Sequence, residues 1–121
     1  MITVTNLTRR KIDEKFLRGL AKKVLKEENR EIENLSIVFV GKRRIWDLNK
    51  KYRKKDKPTD VLSFGDELNE IVIYPTMTNG KNGIAKVLIH GILHLLGYDH
   101  EKNEKEAQKM EEKQRYYLNF I

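Results

Sequence analysis

The sequence predicts an α+β fold in which about four short strands carry helices and one helix is buried at the centre. Three observations lead there. Short runs rich in β-branched and aromatic residues recur at 2–5, 35–40, 61–64 and 71–74. Between them lie segments whose apolar residues return every three or four positions, the period of a helix. From Ile84 to Leu96 apolar residues occur on nearly every side, so this helix should be enclosed by the rest of the fold.

Taken in order, Ile2 to Thr5 reads as a first strand, and Thr8 is placed to cap the next segment. Ile12, Phe16, Leu20 and Val24 recur at intervals of four, so a helix should run from there to Glu28–Asn29. Leu35 to Val40 is a dense apolar run closed by Gly41 and reads as a buried strand. Ile45, Leu48 and Tyr52 mark a second helix with Trp46 on its flank. Arg53 to Thr59 is expected to be a basic loop broken by Pro58, followed by a strand at Val61–Phe64. Gly65-Asp66-Glu67 reads as a turn, Ile71–Tyr74 as a strand, and Thr76–Gly83 as a loop. Gly97 should end the central helix, and residues 101–118 form a charged helix touching the core through Ala107, Met110 and Leu118.

The length, 121 residues, predicts one domain, with no repeat or linker to divide it. Cysteine is absent, which excludes a disulfide framework, a thiolate metal site and a cysteine nucleophile. No apolar run is long enough to span a bilayer, and MITVTNLTRR lacks the pattern of a signal peptide. No membrane partner is expected, and the expected location is cytoplasmic. The net charge is +7, and residues 41–60 alone carry nine basic against three acidic side chains. So local an excess points to a polyanionic partner, while a solvated lysine-rich face is the plain alternative.

All three histidines lie within eleven residues, at His90, His94 and His100. Four helical residues turn about 400°, so His90 and His94 lie about 40° apart on one face, one turn from each other. A left-handed Gly97 would turn the chain so that His100 comes back to the same point. Three neutral imidazoles leave one position of a tetrahedral Zn²⁺ open, the arrangement of a catalytic site, although nickel or iron also suits this donor set. The spacing H-x-x-x-H-x-x-G-x-x-H is that of the metzincins. Zinc peptidases carry Glu directly after the first His as general base, and here that position is Gly91, which cannot take a proton.

HGILHLLGYDH, together with KKYRKKDKPTDVLSF upstream, closely resembles the bacterial YbeY family of metal-dependent endoribonucleases and ribosomal RNA maturation factors. The similarity covers essentially the whole chain. The resemblance implies a zincin-like α+β domain spanning residues 1–121. It implies one Zn²⁺ per chain held by His90, His94 and His100, and Arg53 as the functional arginine. The activity it implies is hydrolytic cleavage of single-stranded RNA, in maturing the 3′ end of small-subunit ribosomal RNA and in ribosome quality control, with the ribosomal small subunit as partner. Two departures stand out. Gly65 replaces the proline usual after LSF, and Asn69-Glu70 replaces a usual Gly-Asp pair.

On this view Arg53, otherwise a surface arginine of a basic loop, would clamp phosphate oxygens with its planar fork. Lys50, Lys51, Lys54, Lys55 and Lys57 would form a track for the RNA backbone. Tyr52, Phe64, Tyr74 and Tyr98 are candidates for base stacking, or else packing residues. Asp99 either orients a ligand imidazole or shapes the turn, Asp60 shapes the loop after Pro58, and Glu70 is the candidate general base. Two other readings stay open: a metallopeptidase, and a metal-stabilised ribosome-assembly factor without catalysis.

Overall fold

The computed structural model describes residues 1–65, 68–78 and 80–121. Its strands are β1 (Ile2–Asn6), β2 (Leu35–Phe39), β3 (Val61–Phe64) and β4 (Glu70–Ile73). Its helices are α1 (Glu14–Glu27), α2 (Lys42–Arg53), α3 (Gly80–Leu95) and α4 (Glu104–Leu118), with a 3₁₀ turn at Pro75–Met77. The strands form one sheet in the order β1-β2-β4-β3. β1, β2 and β4 are parallel, and β3 closes the edge antiparallel to β4, pairing Val61 with Ile73 and Phe64 with Glu70. Parallel neighbours need a crossover, and α1 supplies it between β1 and β2.

Strand alternation assigns the two faces of the sheet. Ile37, Phe39, Ile71 and Ile73 point into the main core with Leu17, Ala21 and Val24 of α1, Leu88 and Ile92 of α3, and Met110 and Tyr117 of α4. Val72, one residue out of phase, points the other way and packs with Val40, Ile45 and Leu62 under α2. The helix at 84–96 is indeed the enclosed one, with Ala85, Leu88, Ile89, Ile92 and Leu93 each fully buried.

Four local expectations are corrected. The α1 cap is Asp13, whose carboxylate accepts from the Phe16 N–H, while Thr8 bonds to the Asn6 side chain in the preceding turn. Arg53 is the last residue of α2, not the first of a loop; Lys54 takes the left-handed conformation (φ 61°) and ends the helix there. Among the described residues of 76–83, Thr76 and Met77 belong to the 3₁₀ turn that begins at Pro75, and α3 begins already at Gly80, so most of the expected loop is helical. The α4 contacts are less sparse than expected: Met110 is buried and Leu118 packs against the core as predicted, and Tyr117 is a further fully buried core residue. Within the turn expected at 65–67, Asp66 and Glu67 lie outside the described residues.

Candidate metal centre and its cleft

α3 runs through the core and brings its C-terminal turn to the surface beside the edge strand β3. Its end is a Schellman motif: Tyr98 N–H donates to Leu93 C=O (3.0 Å) and Gly97 N–H to His94 C=O (3.0 Å), with Gly97 at φ +103°. This reversal carries His100 back to the helix. The rings of His90, His94 and His100 have centroids 4.7 to 5.0 Å apart, and one nitrogen from each lies within 4.8 Å of the others.

The donor set suits a metal. Burial, and then the neighbouring rings of His94 and His100, hold His90 down at about 4. Burial, with His100 beside it, lowers His94 as well. Both are therefore neutral near pH 7, the form in which imidazole ligates. Three convergent imidazoles can hold one ion of the zinc type and leave a position open.

A cleft of about 820 Å³ opens over β3. It is lined by the three histidines together with Arg53, Lys55, Lys57 and Asp60. Arg53 donates from Nη2 to the Ser63 carbonyl (2.8 Å), and its guanidinium lies 5.4 Å from the Phe64 ring centroid. The remaining N–H groups of its fork are not used by that bond. Ser63 in turn donates from Oγ to the Gly91 carbonyl of α3 (3.2 Å). One strand residue thus ties the arginine to the histidine helix.

Gly91 makes that approach possible. A Cβ there would lie 2.9 Å from Ile71 Cγ2 and 3.0 Å from Ser63 Oγ. The position that carries the general base of zinc peptidases therefore faces the sheet, with no room for a carboxylate side chain.

The remaining sequence candidates separate into groups. Lys55 and Lys57 line the cleft, whereas Lys50, Lys51 and Lys54 do not. Glu70 is on β4 beside Ser36, whose hydroxyl is 3.5 Å away, and does not line the cleft. Asp99 shapes the turn, accepting from the Glu101 N–H at 3.0 Å. Tyr52 and Phe64 pack edge to face at 5.2 Å, and Tyr74 leans on the α2 cluster. Tyr98 packs against the main core and donates to Glu28 Oε1 at 2.6 Å; burial and that carboxylate push its phenol up to about 12.

Other residues belong to the site without having stood out in the sequence. Asn49, buried on α2, donates to the Lys57 carbonyl (2.8 Å) and fixes the basic loop. Glu101 lines the cleft 3.9 Å from His100 Nε2, and Gln114 of α4 lies beside His90. Glu28, at the end of α1, accepts from Tyr98, from Tyr117 and from Lys113 (3.2 Å). Only Glu101, adjacent to a ligand, carried a sequence cue; the rest depend on contacts between distant segments.

Comparison with known proteins agrees with this architecture. A family profile described as endoribonuclease YbeY matches residues 3–121. A Sulfurihydrogenibium protein (strain YO3AOP1) named endoribonuclease YbeY is 37% identical over 119 residues, covering 84% of this chain and 78% of its own. A Persephonella marina protein of the same name is 42% identical over 120 residues, with the same two coverages, 84% and 78%. The solution structure of a Thermotoga maritima protein superposes with a TM-score of 0.69 at 30% identity, covering 98% of this chain and 87% of that one. With the histidine constellation on the central helix and a family match running nearly end to end, the chain belongs to the YbeY family.

Proposed function

We propose that residues 1–121 form a single metal-dependent hydrolase domain that cleaves single-stranded RNA endonucleolytically. Its setting is ribosomal RNA maturation at the small-subunit 3′ end and ribosome quality control, in the cytoplasm. The observation that supports this most directly is the shared cleft, lined by the three imidazoles together with Arg53, Lys55 and Lys57. Among the described residues no helix is long and apolar enough to cross a membrane.

His90, His94 and His100 would hold one zinc ion per chain, which when bound supplies Lewis acidity and makes water nucleophilic near neutral pH. Phosphoryl transfer gathers negative charge on the non-bridging oxygens, and Arg53, lining the same cleft, would receive it. Its bond to Ser63 fixes the fork before substrate arrives, so little reorganisation remains. Lys55 and Lys57 attract the backbone on either side of the scissile bond. Asp60 and Glu101, both lining the cleft, replace Glu70 as the carboxylates positioned to accept a proton. A peptidase reading is disfavoured because Gly91 both lacks the base and has no space for one.

Arg53→Lys tests the proposal. It keeps the charge and loses the fork, so cleavage of a single-stranded RNA should fall by about 10²-fold with zinc content unchanged. Undiminished cleavage in this variant removes the clamp. RNA binding without cleavage by the zinc-loaded native chain, or cleavage of casein in place of RNA, rejects the nuclease assignment.

A further inference from the structure

Trp46 is the sole tryptophan of the chain, and it belongs to neither hydrophobic cluster. Its neighbour Ile45 is the apolar residue that α2 fully buries. The indole is half-buried, yet it is firmly fixed. Its N–H donates to Asp56 Oδ1 at 2.8 Å, across the left-handed turn that ends α2. Asp56 also lies 4.0 Å from the Lys50 ammonium. The Lys42 ammonium lies over the ring, 5.8 Å from its centroid.

With its only donor satisfied, the ring has apolar surface left to offer. That surface belongs to a groove of about 470 Å³ lined by Lys42, Arg43, Trp46, Asp47, Lys50 and Asp56. The groove's two acids are already partnered, Asp47 by Arg43 at 3.4 Å and Asp56 by the indole and Lys50. Around it, residues 42–57 carry nine basic side chains against those two acids. An immobilised aromatic ring among lysines is what an unpaired nucleotide needs, a face to stack on and cations for its phosphate.

The groove is also in line with the cleft. Trp46, Lys50 and Arg53 are spaced i, i+4, i+7 along α2 and share one stripe, about 10.5 Å from end to end at 1.5 Å per residue. Lys50, which does not line the cleft, lines this second groove instead. We propose that the Trp46 groove is a second RNA subsite, which stacks an unpaired base of the strand flanking the scissile bond after it has passed Arg53. This rests on the reading of the cleft as a site for single-stranded RNA.

The native chain carries its own reporter, since all tryptophan emission comes from Trp46. A hydrolysis-resistant single-stranded oligonucleotide of about 12 residues is titrated in, following Trp46 emission and the anisotropy of a label on the oligonucleotide in parallel. Emission should be quenched, saturating with the same Kd that anisotropy reports. An oligonucleotide of about 4 residues, short enough for the cleft alone, should leave emission at its free value. Trp46→Ala should raise the Kd of the longer strand about tenfold, and Trp46→Tyr should recover most of the loss. RNA binding by anisotropy with no change in emission overturns the subsite and leaves the cleft reading intact; it does so whether or not the alanine variant folds. An unaltered Kd in folded Trp46→Ala overturns it as well. No binding of either oligonucleotide by anisotropy overturns the cleft reading and the subsite together. Quenching by polyglutamate and not by RNA assigns this face to an acidic protein and overturns the proposal.

Discussion

Replacing Glu28 by Gln should weaken both the fold and the metal loop. The Glu28 side chain is only 7% exposed. It accepts hydrogen bonds from Tyr98 (2.6 Å) and Tyr117 and pairs with Lys113 at 3.2 Å. Burial raises its carboxyl, but these three partners more than offset that and hold it below the ordinary range. Glutamine preserves the shape, removes the charge and turns one acceptor into a donor. A hydrogen bond to a buried charge contributes about 1.5–3 kcal/mol, and the amide retains about 1 kcal/mol with whichever tyrosine its oxygen faces. The expected loss is about 2–4 kcal/mol. For a chain of this size that is a fall in Tm of about 10–15 °C by scanning calorimetry.

Tyr98 lies between the proposed ligands His94 and His100, so the zinc affinity should drop too, by about tenfold or more in a chelator competition. Two controls separate the effects. Tyr98→Phe should lower both stability and zinc affinity, and Tyr117→Phe, which touches the same carboxylate from α4, should lower stability alone. A change in Tm below about 3 °C for Glu28→Gln, or equal zinc affinities for the two tyrosine variants, refutes the reasoning.

Three further predictions concern the same centre. Gly91→Ala gains about 1 kcal/mol of helix propensity but forces a methyl against Ile71 and Ser63 at about 1–3 kcal/mol, so urea unfolding should show a net loss, and a gain in stability would contradict the packing. His94→Ala should take bound zinc, measured by atomic emission after dialysis, from one ion per chain to a small fraction of that; full retention excludes His94 as a ligand. The metal-free protein should lose stability on acidification. His90 titrates near 4 in the fold and near 6.5 when unfolded, so its contribution is complete above pH 6.5, declines as protons bind the unfolded chain, and levels off below about 4. Urea midpoints that stay constant from about pH 7 down to about pH 4.5 would contradict a buried neutral His90.

Features set by local periodicity were legible in the sequence. The positions of His90 and His94 follow from the helical repeat, the return to His100 from a glycine that tolerates φ +103°, and the enclosure of α3 from its all-round apolarity. Each involves residues within about one or two turns, where backbone sterics leave few choices. Helix ends were less legible. Thr8 and Asp13 are both competent caps, and the choice between them depends on where the chain leaves β1. The loop expected at 76–83 failed similarly: its glycine and asparagine weaken a helix, but packing of α3 against the sheet outweighs that weak preference.

The sequence by itself determined the three-histidine constellation, the strands and helices in outline, and the concentration of positive charge at 41–60. The tertiary structure alone decided how that charge is divided. Helix α2 turns Arg53 toward the histidines while Lys50 borders a separate groove with Trp46, and Lys55 and Lys57 rejoin the cleft because Asn49 holds their loop. It decided that Glu70 stands apart and that Ser63 couples Arg53 to α3. It also joined Glu28 to Tyr98 across 70 residues of chain. The physical reason is the same in each case. A helical or strand period is fixed by neighbouring residues, whereas the partner of a polar side chain is fixed by which distant backbone comes within about 3 Å of it, and only the packed core sets that.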